Sequence, residues 1–149
     1  MTTKRIYLDA CSIQRPFDDR SQPRIAIECE AILVILDLCK AGDFSLVSSE
    51  ALIYEINQMP DSYKKEGSLA ILEQAIEFIK IDDKIEKLAI QFKRQSIRSL
   101  DSLHLACASS NNLELFCTCD DNFYKKAKKL DYLNTNVFLP TELALEVNK

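Results

Sequence analysis

The stretch that decides the fold is residues 113–121, LELFCTCDD. Leu113 to Thr118 is apolar enough to form a strand buried on both faces, which is typical of a central strand in a parallel sheet. The strand runs into Asp120 and Asp121, and a lysine-bearing helix is predicted from there to Leu130. A strand that leads directly into a helix indicates part of a parallel β-α-β arrangement.

Short apolar strands alternate with helices along the rest of the chain. The other predicted strands are Arg5–Leu8, Phe44–Val47, Phe78–Ile81 and Val137–Leu139. Because parallel neighbours need helical crossovers, this order predicts a mostly parallel sheet with helices on both faces. The expected fold class is α/β, with three layers in the order helix, sheet, helix. A length of 149 residues is that of one ordinary domain, so residues 1–149 are expected to form a single domain.

Helix boundaries are predicted from capping and breaking residues. Pro16 and Pro23 exclude a regular helix from the polar segment 14–20, which is expected to be a loop. The first long helix is expected to begin near Arg24 and to stop at Gly42. The later helices are expected from Ser48 or Ser49 to Ile56, over Leu69–Ile76 after a polar linker Asp61–Lys65, from Asp82–Asp83 to about Gln95, over Leu100–Ser109 and from Pro140 onward.

The composition is that of a globular protein, with 47% hydrophobic and 28% charged residues and a net charge of −4. That charge argues against bulk wrapping of nucleic acid, but clustered metal-binding carboxylates would inflate it, so a nuclease is not excluded. With no signal-peptide core and no apolar run near the roughly 18 residues of a membrane span, a cytoplasmic protein without membrane contact is expected. The six cysteines are expected to be free thiols; Cys117 and Cys119 are a weak zinc half-site because no matching second pair exists.

Four short acidic motifs fall where predicted strands end and helices begin. They are Leu8-Asp9-Ala10-Cys11, Leu52-Ile53-Tyr54-Glu55, Asp101-Ser102-Leu103-His104 and Thr118-Cys119-Asp120-Asp121. Each acid alone has an ordinary explanation as a strand end, a helix cap or a solvated helical residue. Together they indicate a site, because carboxylates at the carboxyl ends of parallel strands meet in the crevice where open α/β sheets bind ligands.

Converging carboxylates without basic partners need a cation. Two negative charges about 4 Å apart repel by about 4 kcal/mol at an effective dielectric constant of about 20. Oxygen ligands suit Mg²⁺ or Mn²⁺ better than zinc or copper, and Mg²⁺ uses few carboxylates while it retains water. The sequence therefore predicts a divalent-metal site with Mg²⁺ or Mn²⁺ as the cofactor.

At these motifs the chain resembles the PIN-domain family of metal-dependent ribonucleases, and in particular the small VapC-type toxins. The resemblance implies that Asp9, Asp101 and Asp120 are catalytic metal ligands and that Glu55 is catalytic and binds metal directly or through water. The Thr-x-Asp-x-x-Phe pattern of residues 118–123 favours Asp120 over Asp121, which is left as a helix cap or accessory ligand. The resemblance also implies RNA as substrate, a cognate antitoxin protein as partner, and a homodimer.

One departure from the family concerns the residues after the first aspartate. Family members commonly carry a small hydroxyl or amide residue there, whereas here Ala10 and Cys11 precede Ser12. This leaves open what orients the carboxylate of Asp9.

Basic residues close to the acidic motifs are candidates for phosphate binding. The predicted substrate-binding residues are Arg15, Arg98, Lys125 and Lys126, and the alternative for each is a solvated surface position. His104, the only histidine, lies three residues after Asp101 on the same helical face. That spacing would permit a shared metal, although a partly buried helix residue is the favoured interpretation.

The leading hypothesis is an Mg²⁺- or Mn²⁺-dependent endoribonuclease that hydrolyses RNA phosphodiester bonds, as the toxin of a type II toxin–antitoxin pair. One alternative is a non-catalytic PIN-like RNA-binding module. The other is a metal-dependent phosphatase with an aspartyl nucleophile, which is disfavoured because such enzymes carry Asp-x-Asp after the first strand and this chain has Asp9-Ala10-Cys11.

Overall fold

The computed structural model describes residues 3–146. Within that range the chain builds a sheet of five strands, and every neighbouring pair is parallel. The strands are β1 (Lys4–Leu8), β2 (Phe44–Ser49), β3 (Glu77–Ile79), β4 (Leu115–Cys117) and β5 (Asn136–Phe138). The predicted α/β fold with a mostly parallel central sheet flanked by helices is confirmed.

The strand order is β3-β2-β1-β4-β5, so the sheet reverses its direction of growth beside β1. The chain adds β2 and β3 on one side of β1 and then returns to place β4 on the other side. The backbone amide of Asp9 donates to the carbonyl of Cys117 at 3.1 Å, which aligns the ends of β1 and β4. Open α/β sheets bind ligands at such a reversal, outside the carboxyl ends of the strands.

Helices connect the strands and cover the sheet. Their bounds are α1 (Ala10–Gln14), α2 (Pro23–Ala41), α3 (Glu50–Asn57), α4 (Ser62–Leu72), α5 (Asp83–Lys93), α6 (Ser99–Ser110), α7 (Asp121–Lys128) and α8 (Pro140–Glu146), with a 3₁₀ turn at Arg15–Phe17. Helix α2 packs against α8, while α5 and α3 pack against α6. No helix within residues 3–146 is long and apolar enough to cross a membrane.

The core lies between the sheet and these helices. Tyr7 on β1 and Phe116 on β4 are fully buried, and their rings stack with centroids 5.2 Å apart. The predicted stop of the long helix at Gly42 is confirmed: its φ of 88° is the left-handed conformation that glycine adopts without a Cβ clash. All six cysteines are free thiols, as predicted.

The segment predicted as a loop over residues 14–20 is helical as far as Phe17, so that prediction is wrong in part; residues 18–20 lie outside the helices. Helix α1 begins directly after Asp9, whose side chain caps it, and the 3₁₀ turn follows with Pro16 inside it. Pro16 is tolerated because the first residues of a helical turn have no intrahelical partner for their amides, so the missing N–H costs nothing there.

The polar linker predicted at Asp61–Lys65 is also wrong, because α4 begins at Ser62. The carboxylate of Asp61 accepts a hydrogen bond from the amide of Lys64 and so caps the helix. The helix ends at Leu72, earlier than the predicted Ile76, whose side chain is exposed. The polar residues that suggested a linker form the solvent-facing first turns of the helix.

Candidate metal centre

The four predicted acids line one pocket at the sheet reversal. The pocket has a volume of about 580 Å³, and its lining includes Asp9, Glu55, Asp101 and Asp120. Asp9 follows β1, Glu55 lies on α3, Asp101 lies in the first turn of α6, and Asp120 precedes α7. Side chains separated by up to 111 positions in the sequence therefore meet where the fold places a ligand.

Asp9 is held rigidly because it also caps a helix. Its Oδ1 accepts hydrogen bonds from the amide of Ser12 and the thiol of Cys11, both at 3.1 Å. Burial raises the pKa of Asp9, and hydrogen bonds from Thr118, Cys11 and Ser12 oppose that rise. The orienting contacts that the sequence left open thus come from a thiol, a backbone amide and Thr118.

Asp120 is fixed in a similar way at the start of α7. Its Oδ1 accepts from the amide of Phe123 at 3.1 Å, and its own amide donates to the hydroxyl of Thr118 at 3.1 Å. Thr118 is fully buried and contacts both aspartates, so it ties the two loops of the pocket together. The Thr-x-Asp-x-x-Phe pattern includes this threonine, but nothing in the pattern indicates that it contacts both aspartates.

Asp121 points elsewhere, since its two carboxylate oxygens accept from the guanidinium of Arg24 at 2.7 and 2.8 Å. This pair lowers the pKa of Asp121 below its usual range. Asp121 is absent from the lining of the pocket that holds the four acids. Its role as accessory ligand stays a prediction, and the geometry favours Asp120 as the acid that faces a cation.

Among the four acids, Asp101 is the one whose carboxylate has no hydrogen-bond or ion-pair partner within residues 3–146. Burial, followed by repulsion from Asp9, raises the pKa of Asp101 from 3.8 to about 6; Asp120 and Glu55 add to the repulsion and His104 opposes it. A bound cation would stabilise the charged form of this carboxylate, which burial and the neighbouring acids disfavour.

Glu55 reaches the pocket from α3 with one oxygen already engaged. Its Oε1 is hydrogen-bonded to Nε2 of His104 at 2.6 Å. His104 also lines the pocket, but its side chain is buried and both of its ring nitrogens are hydrogen-bonded, to Tyr7 and to Glu55. His104 was predicted to be a partly buried helix residue; it lies on α6 as predicted, but it is fully buried. Its contact with Glu55 could not be predicted, because nothing local in the sequence joins two residues 49 positions apart.

The donor set suits a hard divalent cation. Four carboxylates in one pocket match the oxygen ligands of Mg²⁺ or Mn²⁺, and within residues 3–146 no arginine or lysine forms an ion pair with any of the four. Across residues 3–146 no group of three or more acidic, histidine or cysteine side chains converges into a ready-made coordination shell. Mg²⁺ typically takes one or two protein carboxylates and keeps several waters.

Three of the four predicted substrate-binding residues lie at or beside the pocket, and the fourth, Lys125, does not. Arg15 and Arg98 line the pocket, and Lys126 lines a small hollow beside it that also contains Arg98. Arg98 is exposed and pairs with no acid among the described residues, whereas Arg15 is bound to Asp18 at 2.8 Å. Lys125 is exposed and lines neither space, so the structure does not bring it to the acids.

Comparisons with known proteins agree with this geometry. The PIN domain family model matches residues 6–129, so the chain belongs to the PIN domain family, whose members are nucleases. A search of curated proteins found no match. The fold is similar to a chain in the crystal structure of FitAcB from Neisseria gonorrhoeae, with a TM-score of 0.55 and 19% identity over 91% of this chain and 98% of that chain. It is also similar to a chain of VapBC2 from Rickettsia felis bound to a DNA fragment from their promoter, with a TM-score of 0.61 and 14% identity over 90% and 98% of the two chains.

Proposed function

We propose that this protein is a divalent-metal-dependent endoribonuclease that hydrolyses RNA phosphodiester bonds. The observation that carries the proposal is the gathering of Asp9, Glu55, Asp101 and Asp120 in one pocket at the sheet reversal. Membership of a nuclease family supports the reaction class. The proposed cofactor is Mg²⁺ or Mn²⁺, held by these carboxylates.

The chain's own residues have distinct tasks in this proposal. Asp9 and Asp120 are held by helix-capping hydrogen bonds, so they present fixed oxygens to the pocket. Asp101, which lacks a partner, contributes negative charge that a cation neutralises. A bound divalent ion would supply an acidified water as nucleophile and offset the charge that develops on the phosphate. Arg98 at the rim would hold a neighbouring phosphate.

We further propose that the protein acts as the toxin of a type II toxin–antitoxin pair, in the cytoplasm and as a homodimer. The support is the resemblance of the acidic motifs to VapC-type toxins, together with the similar folds of chains in FitAcB and VapBC2. A cognate antitoxin protein would be the second partner besides RNA. The proposal treats residues 1–149 as one PIN-like domain.

The experiment compares the parent with an Asp9→Asn, Asp101→Asn double variant on single-stranded RNA. We expect cleavage by the parent in Mn²⁺ or Mg²⁺, none in EDTA, and none by the variant, because it has lost two ligands. The matched control is Asp37→Asn, Asp83→Asn, which makes the same chemical change at two exposed acids. Cleavage by the double variant at the parent's rate would falsify the assignment, and RNA binding without metal-stimulated cleavage would favour a non-catalytic module.

A further inference from the structure

A continuous line of hydrogen bonds runs from the core to the pocket. The hydroxyl of Tyr7 lies 2.7 Å from Oγ of Ser49 and 2.6 Å from Nδ1 of His104. Nε2 of His104 then lies 2.6 Å from Oε1 of Glu55. Tyr7, Ser49 and His104 are fully buried, and only Glu55 reaches solvent.

The protons along this line can be assigned from the partners. Ser49 caps α3, so its Oγ accepts from the amide of Leu52 at 3.0 Å and its own proton is free for the oxygen of Tyr7. The hydroxyl proton of Tyr7 then goes to Nδ1 of His104, which places the remaining ring proton on Nε2, facing Glu55. In this arrangement each hydroxyl donates once and accepts once, and the line ends on a carboxylate.

We propose that His104 is a positioning residue that holds Oε1 of Glu55, so that the other oxygen, Oε2, is presented to a cation in the pocket. This inference rests on the metal site of the proposed function. Carboxylates that bind metals are themselves commonly oriented by hydrogen bonds from residues behind them. Here Tyr7 selects the ring nitrogen that carries the proton, and Ser49 fixes Tyr7.

The carboxylate of Glu55 is held by this one hydrogen bond, whereas those of Asp9 and Asp120 are held by helix caps. Asp9 and Asp120 have short side chains that are bound to backbone amides. Glu55 has a longer, more mobile side chain, and within residues 3–146 His104 is its one hydrogen-bond partner. Without that bond its carboxylate would sample several rotamers, and a metal would have to order it on binding.

The line also joins the elements that carry the acids. Tyr7 lies on β1 two residues before Asp9, and His104 lies on α6 three residues after Asp101. Stacking of the Tyr7 ring on Phe116 keeps its hydroxyl in place. A displacement of His104 would therefore act on Glu55 first, while the capping bonds of Asp9 would stay intact.

The test measures Mn²⁺ affinity in the absence of RNA, by electron paramagnetic resonance, for His104→Leu, His104→Gln, Glu55→Gln and the double variant His104→Leu, Glu55→Gln. Loss of an orienting contact weakens metal binding by about 10- to 100-fold, so we expect a loss of that size in His104→Leu. Glutamine offers an amide donor in place of Nε2 and should restore most of the affinity. The double variant should bind no more weakly than Glu55→Gln alone, because both changes remove the same interaction.

The matched control is Leu105→Val, a buried change in the same helix that leaves the line of hydrogen bonds untouched. Its Mn²⁺ affinity should equal that of the parent. If His104→Leu does not fold, Tyr7→Phe removes the hydroxyl that selects the ring proton, and it should also weaken Mn²⁺ binding. ¹⁵N spectra of the parent should show a proton on Nε2 of His104 and none on Nδ1.

The possible results separate this inference from the proposed function. If the parent binds Mn²⁺ and His104→Leu binds it equally well, or if the two losses add in the double variant, the inference fails and the function stands. If the parent binds no Mn²⁺, both fail. If the affinities follow the expected pattern but no RNA is cut, the positioning role stands and the ribonuclease proposal fails.

Discussion

Two neighbouring regions of this molecule treat their acids in opposite ways. The first is the acidic pocket, whose four carboxylates make no ion pair with an arginine or a lysine within residues 3–146. The second, here called the ion-pair cluster, consists of Arg15, Asp18, Arg24, Glu28, Lys64 and Asp121. In the cluster three cations match three acids, whereas in the pocket Asp101 has no partner at all among residues 3–146.

The pKa values of two acids, Asp18 in the ion-pair cluster and Asp101 in the pocket, move in opposite directions. Burial alone would raise the pKa of Asp18, but hydrogen bonds from Gln14 and Lys64 and the charges of Lys64 and Arg15 lower it. The pKa of Asp101 is raised to about 6 by burial and by the neighbouring acids. Acids that the chain itself satisfies are structural, whereas acids with a raised pKa at a ligand-binding edge are candidates for a functional site.

The largest expected effect separates Asp120 from Asp121, which are adjacent in sequence but belong to different regions. Asp120→Asn should reduce metal-dependent RNA cleavage by about 100-fold or more, because it weakens a proposed metal ligand and leaves the cap at α7 largely intact. Asp121→Asn should leave the rate within about twofold of the parent, since it breaks only an exposed pair with Arg24. Rates are measured with equal amounts of folded protein in Mn²⁺.

The reverse result would exchange their assignments. If Asp121→Asn abolished cleavage and Asp120→Asn did not, the acid that serves the metal would be the one now placed in the ion-pair cluster. The same amide substitution at adjacent positions makes each variant the control for the other.

Much of the fold and part of the site followed from local sequence signals. The apolar runs marked the strands, Gly42 marked the end of α2, and the order of strands and helices predicted the parallel sheet. The strand and helix ends also predict where the acids lie, and Asp9, Glu55, Asp101 and Asp120 do line one pocket. These signals succeed because caps, breakers and periodic patterns act over a few residues.

The contacts that the sequence did not reveal act over long distances. Tyr7 and His104 are 97 positions apart, and neither residue type alone indicates the bond. Arg15 was predicted to bind phosphate, yet its guanidinium is engaged by Asp18 and Glu28. Nothing local in the sequence marks Gly67, although a Cβ there would lie 2.5 Å from the ring of Phe17, which would have to shift to make room for it. Such constraints exist only once the chain has folded.

A smaller effect is expected when the ion-pair cluster is broken. Glu28 is buried on α2 and pairs with Arg15 and Arg24, both at 3.2 Å. Glu28→Gln should lower the free energy of unfolding by about 2 kcal/mol, because it leaves two guanidinium groups without their shared carboxylate. Urea denaturation followed by circular dichroism measures the change.

Glu30→Gln is the matched control two positions along the same helix. Its pair with Arg20 is exposed, so the same substitution should change stability by less than about 0.5 kcal/mol. Equal losses in both variants would show that burial does not set the strength of these pairs. The charge-matched cluster would then be no more structural than any surface pair.

The smallest expected effect has the opposite sign and comes from the pocket. Asp101→Asn should raise the free energy of unfolding at pH 7 in EDTA by about 1 kcal/mol, because it removes a partly buried charge that lacks a partner. One pKa unit corresponds to about 1.4 kcal/mol, and water in the pocket screens part of the effect.

The pH dependence of this effect follows from the pKa of Asp101. The folded-state pKa of about 6 exceeds the unfolded value of 3.8, so the folded parent binds more protons than the unfolded chain between these values and loses stability as the pH rises through them. The advantage of the variant should therefore vanish below about pH 4 and grow towards pH 7. Saturating Mn²⁺ should reverse it, since the parent gains stability from an ion that the variant binds weakly. A loss of stability in Asp101→Asn in EDTA at pH 7 would mean that the carboxylate is satisfied by the protein itself, and the contrast between the two regions would disappear.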